Sequence, residues 1–363
     1  MKGKRFPAIE GFRFLACAGV LLCHFKGLFY PSLWPAWLLH TPLKVMVTGT
    51  PFVRFFLALS GFLTAYKYFS QKCYEKAGTD VFLRYLRLMP MAAASILFMY
   101  LLMKSGLVFN GPAASLTGAG EAMGAFNSFP PSFSSCLKEA FLDVYIGRSY
   151  TYMPPFWTLE YEFLGVLFVL AFLCIFREHP SRIVIYAVLL LLCDPNFGCL
   201  FAGMAAADLM VHTSLPDVIK KHGVISALIF AALFCFFSMT DLHDENRLWL
   251  ILFEAAVSFM AILLSCCPVT EKSRIHKLFA LGGRLSYGVY AMHWPVLISF
   301  ACGLYVHRED RSLSFMVLLL ALSFLLTVGL SAAFTFVTEK ISFFLSEKCK
   351  KLLAAVEKQS TKL

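Results

Sequence analysis

Charge is scarce in this sequence. Only 15% of its 363 residues are Asp, Glu, Lys or Arg, against about a quarter in ordinary soluble domains. With 59% apolar residues and a mean hydropathy of +0.71, it has too little polar surface for a soluble fold. Metal-binding cysteine spacing is also missing. The twelve cysteines are scattered, none in a CxxC pair, and only Cys136 sits plainly in an outer loop, so neither a metal site nor a disulfide framework is expected. No small-residue cleavage site ends the first apolar stretch, which begins too soon after Met1 for a separate leader and is therefore expected to stay in the protein. No internal repeat suggests the inverted halves of a transporter.

What is present is a series of apolar stretches, each close to the roughly 20 residues that cross a bilayer. They fall near 11–30, 50–69, 88–107, 155–176, 183–194, 197–212, 223–240, 248–268, 285–305 and 313–338. The expected fold is an all-α integral membrane protein of about ten transmembrane helices. Asp194, Pro195 and Asn196 divide two short members of the series, which read as two thin spans or as one broken hairpin.

Basic residues set the orientation. Lys2, Lys4 and Arg5 precede the first span, and Lys67, Lys72, Lys76, Arg84 and Arg87 lie between the second and third. Further groups follow the fourth, sixth and eighth spans, and Lys340 to Lys362 populate the tail. Together these are 22 of the 32 bases, all on alternate loops. Both termini are expected to be cytoplasmic, in a cell membrane. The net charge of +10 follows from inner loops beside anionic lipid and requires no nucleic acid. Residues 1–345 read as one membrane domain and 346–363 as a short basic tail. The long outer segment 108–152 is rich in Gly, Ser, Ala and Pro, and its SSCLKEAFLDVYIG stretch has helix-like apolar spacing.

Ionisable residues inside these spans are the candidates for chemistry, because burying each in lipid costs roughly 2.5–3.5 kcal/mol. Arg13 and His24 are eleven residues apart in the first span. That interval returns to within about 20° of the same helix face and rises about 16 Å. Ser60-Gly61 in the second span offers bare backbone to a helix or a ligand, helix packing being the plainer reading. Arg84 and Arg87 share a face ahead of Pro90 and suit a phosphate, although positive-inside anchoring is, on the pair alone, the plainer reading. Glu160 and Glu162 diverge by about 200°, so one at most faces a given site. Measured from Pro155 and Pro31, Glu162 and His24 fall at one depth, where a carboxylate would orient an imidazole base. The competing reading is a buried polar pair joining two helices. His293 in the ninth span is a secondary candidate beside Ser286 and Tyr287.

These residues carry a resemblance. EGFR with Arg13 and His24, FFLALSGF at 55–62, LRYLRLMP at 83–90, FWTLEYE at 156–162 and LGGRLSYGVYAMHWPV at 281–296 occur in the order seen in the acyltransferase 3 family, with a looser TEK at Glu339. The chain resembles that family of multi-pass acyltransferases, which decorate cell-surface carbohydrates, from about residue 8 to 340. The resemblance implies that Arg13, Arg84, Arg87, Ser60, Gly61 and Phe62 hold an acyl-CoA donor, with acetyl as the acyl group. It implies His24 and Glu162 as catalytic, with Glu10, Trp157, Ser286, Tyr287 and His293 in support. The acceptor would be a carbohydrate hydroxyl, taken directly or by way of an acyl-histidine. Arg54 stands where the family has an acidic or small residue. The alternative class is a polytopic transporter or exporter of a polar solute, which would share the buried charges without a need for CoA.

Overall fold

In a computed structural model of the chain, residues 6–29, 40–71, 76–239, 246–309 and 311–360 are described. Lys2, Lys4, Arg5, Pro31, Lys72 and Lys362 lie outside them. Helices dominate and no strand occurs among the described residues. The helices include α1 (Pro7–Phe29), α2 (Gly49–Gln71), α3 (Ala77–Lys104), α4 (Trp157–Phe176), α5 (Arg182–Leu192), α6 (Pro195–His212), α7 (Leu215–Lys221), α8 (Gly223–Met239), α9 (Arg247–Cys266), α10 (Arg274–Pro295) and α11 (Leu313–Ser360). Side chains such as Leu192 and Val224, 80% and 78% exposed, cover the outside of the bundle with apolar surface that only lipid would tolerate.

Among the described residues six helices are long and apolar enough to cross a membrane: α1, α3, α4, α9, α10 with its continuation to Val306, and α11. The bent pair α6–α7, turned by 80°, makes a seventh if taken as one span. The remaining members of the expected ten are shorter or more polar. α5 has 11 residues, and α2, with Arg54, Lys67 and the hydroxyls of Thr50, Ser60, Thr64, Tyr66 and Tyr68, is largely buried among its neighbours. The break at 194–196 separates two distinct helices, because Asp194 caps α6 by accepting from the Asn196 N–H while Pro195 occupies its first turn. α11 runs without interruption to Ser360, so the boundary expected at 346 falls inside a helix.

Small residues set the closest packing. α2 and α6 approach until a Cβ added at Gly203 would lie 1.9 Å from the Ala58 carbonyl oxygen, and one at Gly61 would lie 2.0 Å from that of Leu200. Segment 108–152, the expected outer segment, is folded and tied down. Glu139 accepts from the N–H groups of Thr151, Tyr152 and Met153 and from Thr151 Oγ1, while Asn127 Nδ2 donates to the Thr151 and Tyr152 carbonyls. Its helices Phe133–Lys138 and Glu139–Gly147 cover the SSCLKEAFLDVYIG stretch.

Candidate active site

α1 and α10 lie side by side in one register. Cys17 Sγ donates to the Ser286 carbonyl at 3.0 Å, and His24 Nδ1 meets His293 Nε2 at 3.1 Å, both pairs separated by 269 positions. Seven residues are close to two helical turns, so the two contacts repeat on the same pair of faces. Gly283 permits the approach, since a Cβ there would sit 2.1 Å from a Glu10 carboxylate oxygen. The helices therefore run parallel, and the Arg13–His24 stripe of α1 is backed along its length by α10.

Beside this pair a cavity of about 400 Å³ lies between α1, α2, α3, α4 and α10, along the seam of two apolar clusters. Its lining on α2 runs from Val53 to Tyr68, which is about 22 Å of helix. Arg13, Lys67, Arg84 and Arg87 face Asp80 and Glu162 there, leaving two positive charges in excess. Arg84 and Arg87 are three residues apart on the first turns of α3 and project together. Leu, Arg and Met favour helix, which is why α3 starts at Ala77 and takes in both arginines ahead of the apolar run. Arg84 Nη2 donates to Ser60 Oγ at 2.7 Å and pairs with Glu162, both side chains about one-fifth exposed. Arg87 keeps its exposure. Lys67 and Tyr68 both donate to Asp80 at the far end. A cationic, apolar-walled slot of this shape suits an anion carrying a long arm.

The expected contact of Glu162 with His24 is replaced by two others. Glu162 pairs with Arg84, and His24 lies against His293, their ring planes within 3°. The cause is the depth at which α4 starts. Phe156 has no exposed surface and Pro155 is buried, so α4 begins within the bundle beneath the outer segment, and a count from Pro155 does not start at the membrane surface. Thr158 meets Tyr290 at 2.6 Å, which puts Glu162 one turn below that level and His293 one turn above it. The two candidates are thus about 10 Å apart along the bundle. Of the two glutamates, Glu162 faces the cavity, while Glu160 accepts from Arg148 Nε at 2.9 Å.

His24 is half-buried and His293 has no exposed surface. Trp294 stands edge-on to His24 with ring centres 5.5 Å apart, and its Nε1 donates to Asn127 Oδ1, which ties the outer segment to the histidines. The cavity ends short of them. Tyr290, whose hydroxyl donates to the Pro155 carbonyl, and Cys17, seven residues before His24, form its last lining.

Of the Ser-Gly-Phe run only Ser60 lines the cavity; Gly61 packs against Leu200 and Phe62 is buried against Phe6 and Tyr66. Trp157 packs edge-on to Tyr161, outside the lining, and Glu10 lies over Gly283. Ser286 and Tyr287 do line it, with hydroxyls donating to the Gly283 and Leu88 carbonyls. Lys67, Asp80, Thr158 and Tyr290 were not singled out by the sequence: Lys67 served only to orient the chain, and the other three carry no distinctive spacing. Among the described residues no group of three or more His, Cys, Asp or Glu is placed to hold a metal ion. Residues 6–336 match the Acyl_transf_3 family, described as an acyltransferase domain. No curated protein and no solved structure matches the chain.

Proposed function

The chain belongs to the acyltransferase 3 family, and on that premise we propose a membrane-bound enzyme that moves an acetyl group from cytoplasmic acetyl-CoA to a hydroxyl of a cell-surface or exported carbohydrate. The observation that supports it most is the cationic cavity ending below His24 on the same stripe of α1. In this reading the basic end, with both termini, faces the cytoplasm. Arg84, Arg87 and Arg13 take the CoA phosphates, because guanidinium forks match phosphate oxygens. Apolar residues such as Leu63, Leu159 and Val166 flank the arm.

His24 acts as general base. It takes the proton of the acceptor hydroxyl as that oxygen bonds to the thioester carbon, the C–S bond breaks, and the CoA sulfur leaves with the proton. Glu162 holds Arg84 rather than His24, so its part lies in donor binding. The thioester must pass Tyr290 to reach His24, which requires the Tyr290 ring to leave Thr158 and Pro155.

Membranes carrying His24→Ala are expected to lose transfer of labelled acetyl to carbohydrate by about 10²–10⁴-fold with the protein still folded. Transfer at the normal rate would overturn the assignment. A wild-type protein that moves a polar solute without releasing CoA thiol would favour the transporter class instead.

A further inference from the structure

The hydrogen bonds around the two histidines form a directed chain. His293 Nδ1 lies 2.6 Å from the Tyr290 backbone carbonyl, and a carbonyl oxygen can only accept. His293 Nδ1 therefore carries a proton. With no exposed surface, an imidazolium at this position would be a buried charge, so the ring is neutral and its Nε2 holds a lone pair. The polar atom that meets this lone pair is His24 Nδ1, at 3.1 Å, in a ring parallel to within 3°. His24 Nδ1 must then be the donor, and in the neutral ring its Nε2 is left bare. The reverse polarity would set a His293 lone pair against a carbonyl oxygen at 2.6 Å.

We propose that His293 is a positioning residue that fixes His24 in the Nδ1-protonated tautomer, so that Nε2 is the atom that takes the acceptor's proton. The Tyr290 carbonyl, His293 and His24 occupy the places that a carboxylate and a single histidine fill in hydrolase triads. A neutral imidazole replaces the carboxylate, and the chain is anchored on helix backbone. When Nε2 takes up the hydroxyl proton, the new charge on His24 is held through Nδ1–H by the His293 lone pair, and the same proton then leaves from Nε2 to the CoA sulfur. The second half of this statement rests on His24 being the general base; the tautomer itself does not.

The test uses the full chain in nanodiscs, with histidine labelled by nitrogen-15 and the His24 signals identified by their loss in His24→Gln. Nitrogen shifts are expected to report His24 with Nδ1 protonated and Nε2 bare in the wild type, and to lose that preference in His293→Phe. With acetyl-CoA, His293→Phe is expected to lower kcat by about 10²–10⁴-fold at a KM for acetyl-CoA unchanged within about three-fold. His293→Gln, whose amide oxygen can accept from His24 Nδ1, should recover at least about ten-fold of that loss. An Nε2-protonated His24 in the wild type overturns the proposal whether or not any variant folds. So does a folded His293→Phe protein with wild-type kcat. A protein with the predicted tautomer but no acyl transfer overturns the proposed function and leaves the hydrogen-bond chain standing.

Discussion

Replacing Glu162 by Gln separates a role in donor binding from one in the chemistry. The substitution removes one carboxylate from the cavity and frees Arg84 of its counter-ion, while the amide oxygen can still accept from the guanidinium. A unit charge about 8 Å from a dianionic phosphate acts on it by about 1 kcal/mol at the dielectric of water and about 4 kcal/mol at an effective dielectric near 20. The side chains of Arg84 and Glu162 are 22% and 20% exposed and Arg87 is exposed, so the lower figure applies. CoA should then bind about five-fold more tightly, with the gain shrinking as ionic strength rises. Loss of the pair should cost less than the roughly 3–5 kcal/mol of a fully buried one. Titration calorimetry of the purified protein in nanodiscs at two salt concentrations, alongside acetyl transfer rates, reads both quantities. A CoA affinity that is unchanged or weaker, together with a kcat lowered by about 10²-fold or more, would refute the reasoning and return Glu162 to the chemistry.

Other perturbations test the frame around the site. Gly203→Ala forces α2 and α6 apart, because its Cβ would meet the Ala58 carbonyl oxygen at 1.9 Å. A stability loss of about 1–3 kcal/mol should appear as a lower thermal transition, and an unchanged transition would show that the helices do not meet there. Glu139→Gln leaves at least one of its backbone donors without an acceptor, so about 1–3 kcal/mol of local stability is lost. Faster hydrogen exchange over residues 127–152 should reveal it. Asp208→Asn weakens a cluster in which the carboxylate accepts from both Nε and Nη2 of Arg182, from the Tyr186 hydroxyl and from His212. Chemical unfolding should register a loss of about 3–5 kcal/mol, carried by the α5–α6 join.

The sequence reading was strongest where one helix carried the whole pattern. Arg13 and the Arg84–Arg87 pair reached the cavity from local spacing alone, since i, i+3 and i, i+11 intervals fix a face whatever the surroundings. Depth was harder to judge, because it depends on where each helix starts relative to its neighbours. The pairing of His24 with Glu162 failed on that point: the buried start of α4 comes from the outer segment folding over it, and neither span encodes it. The count of ten spans is not confirmed either. Six or seven helices among the described residues are long and apolar enough, and α2 is more polar than these, its Arg54 buried by neighbouring helices.

The α1–α10 register changes what the eleven-residue interval from Arg13 to His24 measures. Taken alone, it gives a distance along one helix. With α10 parallel and offset by 269 positions, every step along α1 has a fixed partner: Cys17 meets Ser286 and His24 meets His293. Shifting one helix by a turn would break both contacts together, since both depend on the same offset. The cavity borders the first pair, and the second lies two turns beyond it. A small residue at 283 is then required in order to hold His24 at a set height above the cavity. A side chain there would meet the Glu10 carboxylate at the close approach of the two helices, a turn below Ser286 and nearly three below the histidines. Its effect would reach the chemistry only through the register.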